Sequence, residues 1–178
     1  DCFGDLKITT NYWADIQCPD WMQQASHRYY IAIYVLGLRA KQGDESALAL
    51  NEIYCSEEPF EEIPDVIQYL IALEKITFQR AKQGLRYISE GLSKLPKLHT
   101  LSFFDTNLKG QDLPEFIGEI QSLENLNLRY SYIASLPESL GNLNNLKTLN
   151  LTYTEIKRLP ESMGQLKRLE SLNLQSST

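Results

Sequence analysis

The sequence predicts an α/β solenoid: a right-handed arc in which about six parallel strands form a concave sheet, helical or 3₁₀ segments return the chain behind it, and a helical cap covers the N-terminal end. Three observations predict this. First, residues 123–145, LENLNLRYSYIASLPESLGNLNN, return 23 residues later as LKTLNLTYTEIKRLPESMGQLKR and begin again as LESLNL. A period of this length is the mark of repeat architecture. Second, Leu123, Leu126 and Leu128 keep an L-x-x-L-x-L spacing that Leu146, Leu149 and Leu151 repeat, as do Leu169, Leu172 and Leu174. The spacing fits a short strand, and stacking such strands about 4.8 Å apart joins their leucines into one core. Third, Leu-Pro-Glu-Ser-Leu/Met-Gly follows the first two of these strands, with Pro137 and Pro160 suited to the first turn of a return segment because a missing N–H costs nothing there.

The chain before the repeats reads differently. Residues 1–46 are expected to form the cap and residues 47–178 the repeats, as one continuous domain. From Pro19 to Ala40 a helix is predicted, with Asp20 able to cap it and the run YYIAIYVLGL (29–38) apolar on nearly every face. That run is far short of the roughly 20 residues that cross a bilayer. It reads as a buried helix covering the open end of the leucine core, as a terminal element of a solenoid must; the competing reading is a helix for a membrane surface or a partner. Cys2 and Cys18 lie close enough in sequence to bridge in an oxidising compartment, or stay reduced with Cys55, since three cysteines cannot all pair. A lipid-anchored Cys2 is a further alternative. The chain starts at Asp1 without an initiator Met, which points to a removed leader or a trimmed chain, and an extracytoplasmic or cell-surface location is expected over a cytoplasmic one.

Walking the register backwards adds three strands. Leu98-x-x-Leu101-x-Phe103 lies 25 residues before Leu123, Leu73-x-x-Ile76-x-Phe78 lies 25 before that, and Leu50-x-x-Ile53-x-Cys55 lies 23 earlier still. The longer spacings belong in the connections around Gln83-Gly84 and Lys109-Gly110. Cys55 then takes the last core position of its strand, which predicts a buried, unreactive thiol.

These residues resemble the leucine-rich repeat family, in the short-repeat type of bacterial surface proteins and plant resistance proteins. Where that family often places a buried Asn, this chain has Ser131 and Thr154, so hydroxyls are expected to replace the Asn ladder. The resemblance implies a recognition surface on the concave sheet, with a partner that differs from member to member.

Little else in the chain suggests chemistry. A net charge of −6 and a pI near 5.0 argue against nucleic acid or an anionic membrane, either of which calls for a basic face. No phosphate-binding loop, dinucleotide fingerprint or zinc signature occurs. His27 and His99 stand apart from other metal ligands, and Glu57, Glu58, Glu61 and Glu62 read as a solvated turn. The sequon Asn150-Leu151-Thr152 puts its asparagine mid-strand. No catalytic, cofactor or metal residue is assigned, and no enzyme is expected.

The surface is the candidate. Residues between the leucines point to the concave face, giving successive columns: Glu52, Lys75, Thr100, Asn125, Thr148, Ser171; then Tyr54, Thr77, Ser102, Asn127, Asn150, Asn173. Asn127, Asn150 and Asn173 are expected to stack as an amide ladder. Phe104, Arg129, Tyr130 and Tyr153 converge on three neighbouring strands, the composition of an interface hot spot, though such rings can also simply pack on each other. The expected function is binding of a protein partner through this face, Asn127 and Asn150 included. Two alternatives are a recognition fragment of a larger receptor or effector, and a homodimer in which the last strand, with Leu169, Leu172 and Leu174, pairs antiparallel with its copy.

Overall fold

The computed structural model describes residues 28–56, 61–81, 84–108 and 110–175; Cys2, Cys18, Asp20, His27, Glu57 and Glu58 lie outside them, as does the first part of the helix expected over 19–40. Six strands form a single parallel sheet in chain order: β1 (Glu52–Ser56), β2 (Lys75–Gln79), β3 (Thr100–Phe104), β4 (Asn125–Asn127), β5 (Thr148–Asn150) and β6 (Ser171–Asn173). Ile53, Ile76, Leu101, Leu126, Leu149 and Leu172 are partners in turn, so the register is the one the leucine spacing implies.

Behind the sheet the chain returns through 3₁₀ segments at Asp65–Tyr69, Glu90–Lys94, Glu115–Glu119, Glu138–Asn142 and Glu161–Gln165. Pro137 and Pro160 stand one residue before the first turn rather than in it. Their ψ angles of 151° and 144° are extended, and their carbonyls accept the N–H of Leu140 and Met163 at 3.1 and 3.2 Å. Proline suits this position as well, since it too leaves no donor unpaired.

The core is one continuous column of aliphatic side chains from Ala32 to the penultimate repeat, with Phe78 stacked on Phe103 at 5.5 Å. Cys55 takes the last core position of its strand, buried, and that burial pushes its thiol pKa well up. The two repeats that begin at β2 and β3 carry these phenylalanines and the two extra residues, absorbed where Gly84 (φ 93°) and Gly110 (φ 65°) turn the chain. The hydroxyls expected to replace the Asn ladder are buried and satisfied, Thr154 Oγ1 donating to Leu151 O at 2.8 Å and Ser131 Oγ to Leu128 O, and Thr106, which the sequence reading did not single out, joins them by donating from Oγ1 to Phe78 O at 3.2 Å.

The Pro-Glu-x-x-Gly segments lock neighbouring repeats together. A Cβ on Gly118 would stand 2.2 Å from the carbonyl oxygen of Ser139, and one on Gly141 would stand 2.5 Å from that of Ser162, so only glycine lets the next backbone come this close. The glutamates work in the same direction. Glu115 accepts the N–H of Ser139, and Glu138 accepts those of Glu161 and Ser162, satisfying donors that a short helical turn leaves open. Each contact is a notch on one repeat filled by the backbone of the next.

Helix α1 (Arg28–Lys41) enters the same series, because its Gly37 lies against the Val66 carbonyl of the first 3₁₀ segment. Its described side chains are buried on one face. Ala32, Ile33, Leu36 and Ala40 face the core, Tyr30 packs partly against it, and Tyr34 is exposed and stacks on Tyr30 at 6.0 Å, so the apolar run is an amphipathic helix rather than one buried all round. A short α2 (Glu45–Leu48) follows, capped by Asp44, whose carboxylate accepts from Ser46 N and Ala47 N.

Candidate functional site

The concave face is built from alternate residues of the six strands, and its far rim from the residues just past them. At that rim Arg80, Asp105, Tyr130 and Tyr153 occupy equivalent places, and all four are left-handed, with φ of 57°, 51°, 58° and 56°. An L-residue other than Asn, Asp or Gly rarely stays there, because its Cβ crowds the backbone at a cost of roughly 1–2 kcal/mol. The sheet enforces it. Each of these N–H groups donates to a carbonyl of the next repeat: Arg80 to Phe104, Asp105 to Arg129, Tyr130 to Thr152 and Tyr153 to Gln175, at 2.9 to 3.1 Å.

Asn127 and Asn150 prepare that turn. Their Oδ1 atoms accept the N–H of Arg129 (3.1 Å) and Thr152 (3.0 Å), two residues on and just past the ends of their own strands. The expected ladder of amides bonded strand to strand does not form among the described residues. An Asn at a strand end that must turn has a closer donor in its own backbone, and that local bond wins.

The turn sets the rings in place. Tyr130 and Tyr153 stack with centroids 4.6 Å apart and planes 6° from parallel, and Phe104 meets Tyr130 edge-on at 6.0 Å. The guanidinium of Arg129 lies over Tyr130 at 4.8 Å and near Phe104 at 5.8 Å. The four side chains expected to converge therefore do so, with Tyr153 the most open at 43% exposure and Phe104, Arg129 and Tyr130 half-buried. The left-handed backbone of Tyr130 and Tyr153 had no signal in the sequence, since Tyr is not a residue type that favours it.

Charge on this face is mostly cancelled. Lys75 sits 2.8 Å from Glu52, Arg80 sits 3.9 Å from Asp105, and Lys147 sits 2.8 Å from Glu124, whose carboxyl is held below its usual range by that hydrogen bond. Arg129 differs. No carboxylate pairs with it among the described residues, its Nε is buried without an acceptor, and its one polar neighbour, the Tyr130 hydroxyl, stands 3.5 Å from Nη2.

The remaining expected residues lie elsewhere. His99 precedes β3, with Nδ1 3.0 Å from Thr100 Oγ1, and Glu61 faces Arg86 at 3.4 Å. At the other end of the sheet Leu172 and Leu174 are exposed, Leu169 is half-buried and Leu166 is buried. The geometry lends no support to a two-fold pairing there. Successive repeats join notch to backbone, and a two-fold axis would set the open notch at Gly164 against its own copy. Among the described residues no helix is long and apolar enough to cross a membrane, and no group of three or more metal-ligating side chains forms.

Residues 92–178 match the family model of a leucine-rich repeat region. These are leucine-rich repeats. A leucine-rich repeat protein of Leptospira interrogans superposes with a TM-score of 0.51 and 26% identity over 65% of this chain and 34% of its own. The PEPR1–AtPEP1 structure gives 0.55 and 26% over 75% of this chain and 19% of that one. Internalin C2 of Listeria monocytogenes gives 0.57 and 22% over 77% and 62%, a likeness of fold. This chain thus spans about a third of the Leptospira protein and about a fifth of the PEPR1 chain. No curated protein matches the sequence. Leucine-rich repeats commonly serve as protein-interaction modules, and the sheet described above is the face such repeats share.

Proposed function

We propose that the protein is a non-enzymatic recognition module that binds a protein partner on the concave face, centred on Phe104, Arg129, Tyr130 and Tyr153. Residues 1–46 act as the cap, and the repeats carry the surface. The observation that carries this reading is the Tyr130–Tyr153 stack held on left-handed backbone beside an unpaired arginine. Rings in that conformation are costlier than the glycine or asparagine the turn would take by itself, which favours a role for the rings beyond the fold. Aromatic and Arg anchors ringed by neutral polar residues make up the usual centre of a protein interface. The repeats aligned in the PEPR1–AtPEP1 structure belong to a named pair, in keeping with such a role.

The test is a binding measurement. A partner captured on the parent protein and then purified is titrated calorimetrically against the parent and against Tyr130→Ala/Tyr153→Ala. Loss of hot-spot rings typically costs about 2 kcal/mol or more, roughly thirtyfold in Kd. Equal affinity for the double variant would move the site off this face.

A further inference from the structure

Arg129 narrows the chemistry of the partner. Three basic side chains of the concave face and its rims, Lys75, Arg80 and Lys147, already face a carboxylate of this chain, and Arg129 does not. Its Nε is a buried donor without an acceptor, a state that calls for an explanation in a native structure. The side chain is also held in position, lying over Tyr130 and near Phe104, so little freedom remains to be lost when a ligand arrives.

We infer, resting on the concave-face reading above, that Arg129 receives the side-chain carboxylate of an Asp or Glu in the protein partner, next to an apolar residue that lies on Tyr153. A planar carboxylate matches the guanidinium fork and can take two of its N–H groups at once. The rings around it exclude water and strengthen the pair. Phosphate is the poorer fit. A dianion calls for a cluster of cations, but the strand neighbours of Arg129 are Asn127, Thr152 and Gln175, the nearby Arg80 is engaged by Asp105, and the chain as a whole carries −6. Tyr153, the most exposed ring of the group, offers the adjoining apolar contact.

The experiment is selection of a random twelve-residue peptide library displayed on phage against the intact parent protein, followed by synthesis of the enriched peptides. The expected result is a shared Asp or Glu beside an apolar residue. Changing that acid to its amide should weaken binding to the parent roughly tenfold to a hundredfold, the range of hydrogen bonds to charged groups, and change nothing for Arg129→Gln. Arg129→Lys, which keeps the charge and loses the fork, should bind at an intermediate level, and it carries the test if Arg129→Gln melts early. Millimolar acetate should compete better than inorganic phosphate. Enriched peptides without an acid, an acid whose loss Arg129→Gln feels as strongly as the parent, stronger competition by phosphate, or no enrichment at all would each overturn the carboxylate assignment. Peptides that still bind Tyr130→Ala/Tyr153→Ala at full strength would overturn the concave site itself, a separate failure.

Discussion

Replacing Tyr130 and Tyr153 together by glycine, and separately by alanine, isolates what the left-handed backbone costs. Both rings sit at φ near 57°, stacked at 4.6 Å, with Tyr153 close to half exposed. Either pair of substitutions removes the stack, worth about 0.5–1.5 kcal/mol and nearer the lower end for a pair this open. The alanine pair keeps both Cβ atoms and hence the strain, about 1–2 kcal/mol per residue, while the glycine pair releases it. Against that release stands the extra freedom glycine has in the unfolded chain, about 0.5–1 kcal/mol per site. The glycine pair should therefore be more stable than the alanine pair by about 1–2 kcal/mol, and close to the parent. The assay is urea unfolding at neutral pH, with the midpoint read alongside the slope so that a change in the unfolded state shows itself. A glycine pair no more stable than the alanine pair would refute the argument that these tyrosines are held at a cost, and with it the reason for assigning them a role beyond the fold.

Two further outcomes test the joints between repeats. Gly118→Ala drives a Cβ into the Ser139 carbonyl and should destabilise by about 1–3 kcal/mol or more, whereas Gly164→Ala, with nothing within 4 Å of its Cβ, should fall within about 0.5 kcal/mol of the parent in the same urea assay. The Glu138 carboxyl is held below the usual carboxylate range, first of all by the backbone N–H of Ser162. A carboxyl whose folded pKa is lowered adds stability above its unfolded pKa and loses it as pH falls through the folded one. The stability gap between the parent and Glu138→Gln should thus be full at neutral pH and close on acidification, and a gap that stays constant would show that the carboxylate does not cap the next repeat.

The sheet was legible because strand alternation and the 23-residue period are both written in leucines: a slip of one residue would have turned Leu126 and Leu149 out to solvent. The convergence of Phe104, Arg129, Tyr130 and Tyr153 followed from that register alone. What was not legible was what each side chain does once there. An Asn at a strand end can bridge strands or hold its own turn, and only the position of Arg129 N and Thr152 N decides for Asn127 and Asn150. The left-handed tyrosines are imposed by hydrogen bonds to the following repeat, which no local propensity encodes. Helix α1 misled for a related reason, since Tyr34 counted as core by hydropathy but is exposed, stacked on a Tyr30 that only partly packs against the core. The glycine notch did leave a trace, in Gly118, Gly141 and Gly164 returning with the repeat.

Because glycine notch and glutamate cap both reach one repeat forward and no further, stability in this molecule is a chain of pairwise couplings rather than a property of one closed core. Folding can then begin at any adjacent pair and spread outward, and the energy of a lesion is shared by two joints instead of the whole. Backbone amides in β3 and β4, coupled on both sides, should be the slowest to exchange with solvent, with protection declining towards β6 repeat by repeat. A partner lying across β3 to β5 would bind residues from three such units at once, and so hold shut joints that it does not itself touch.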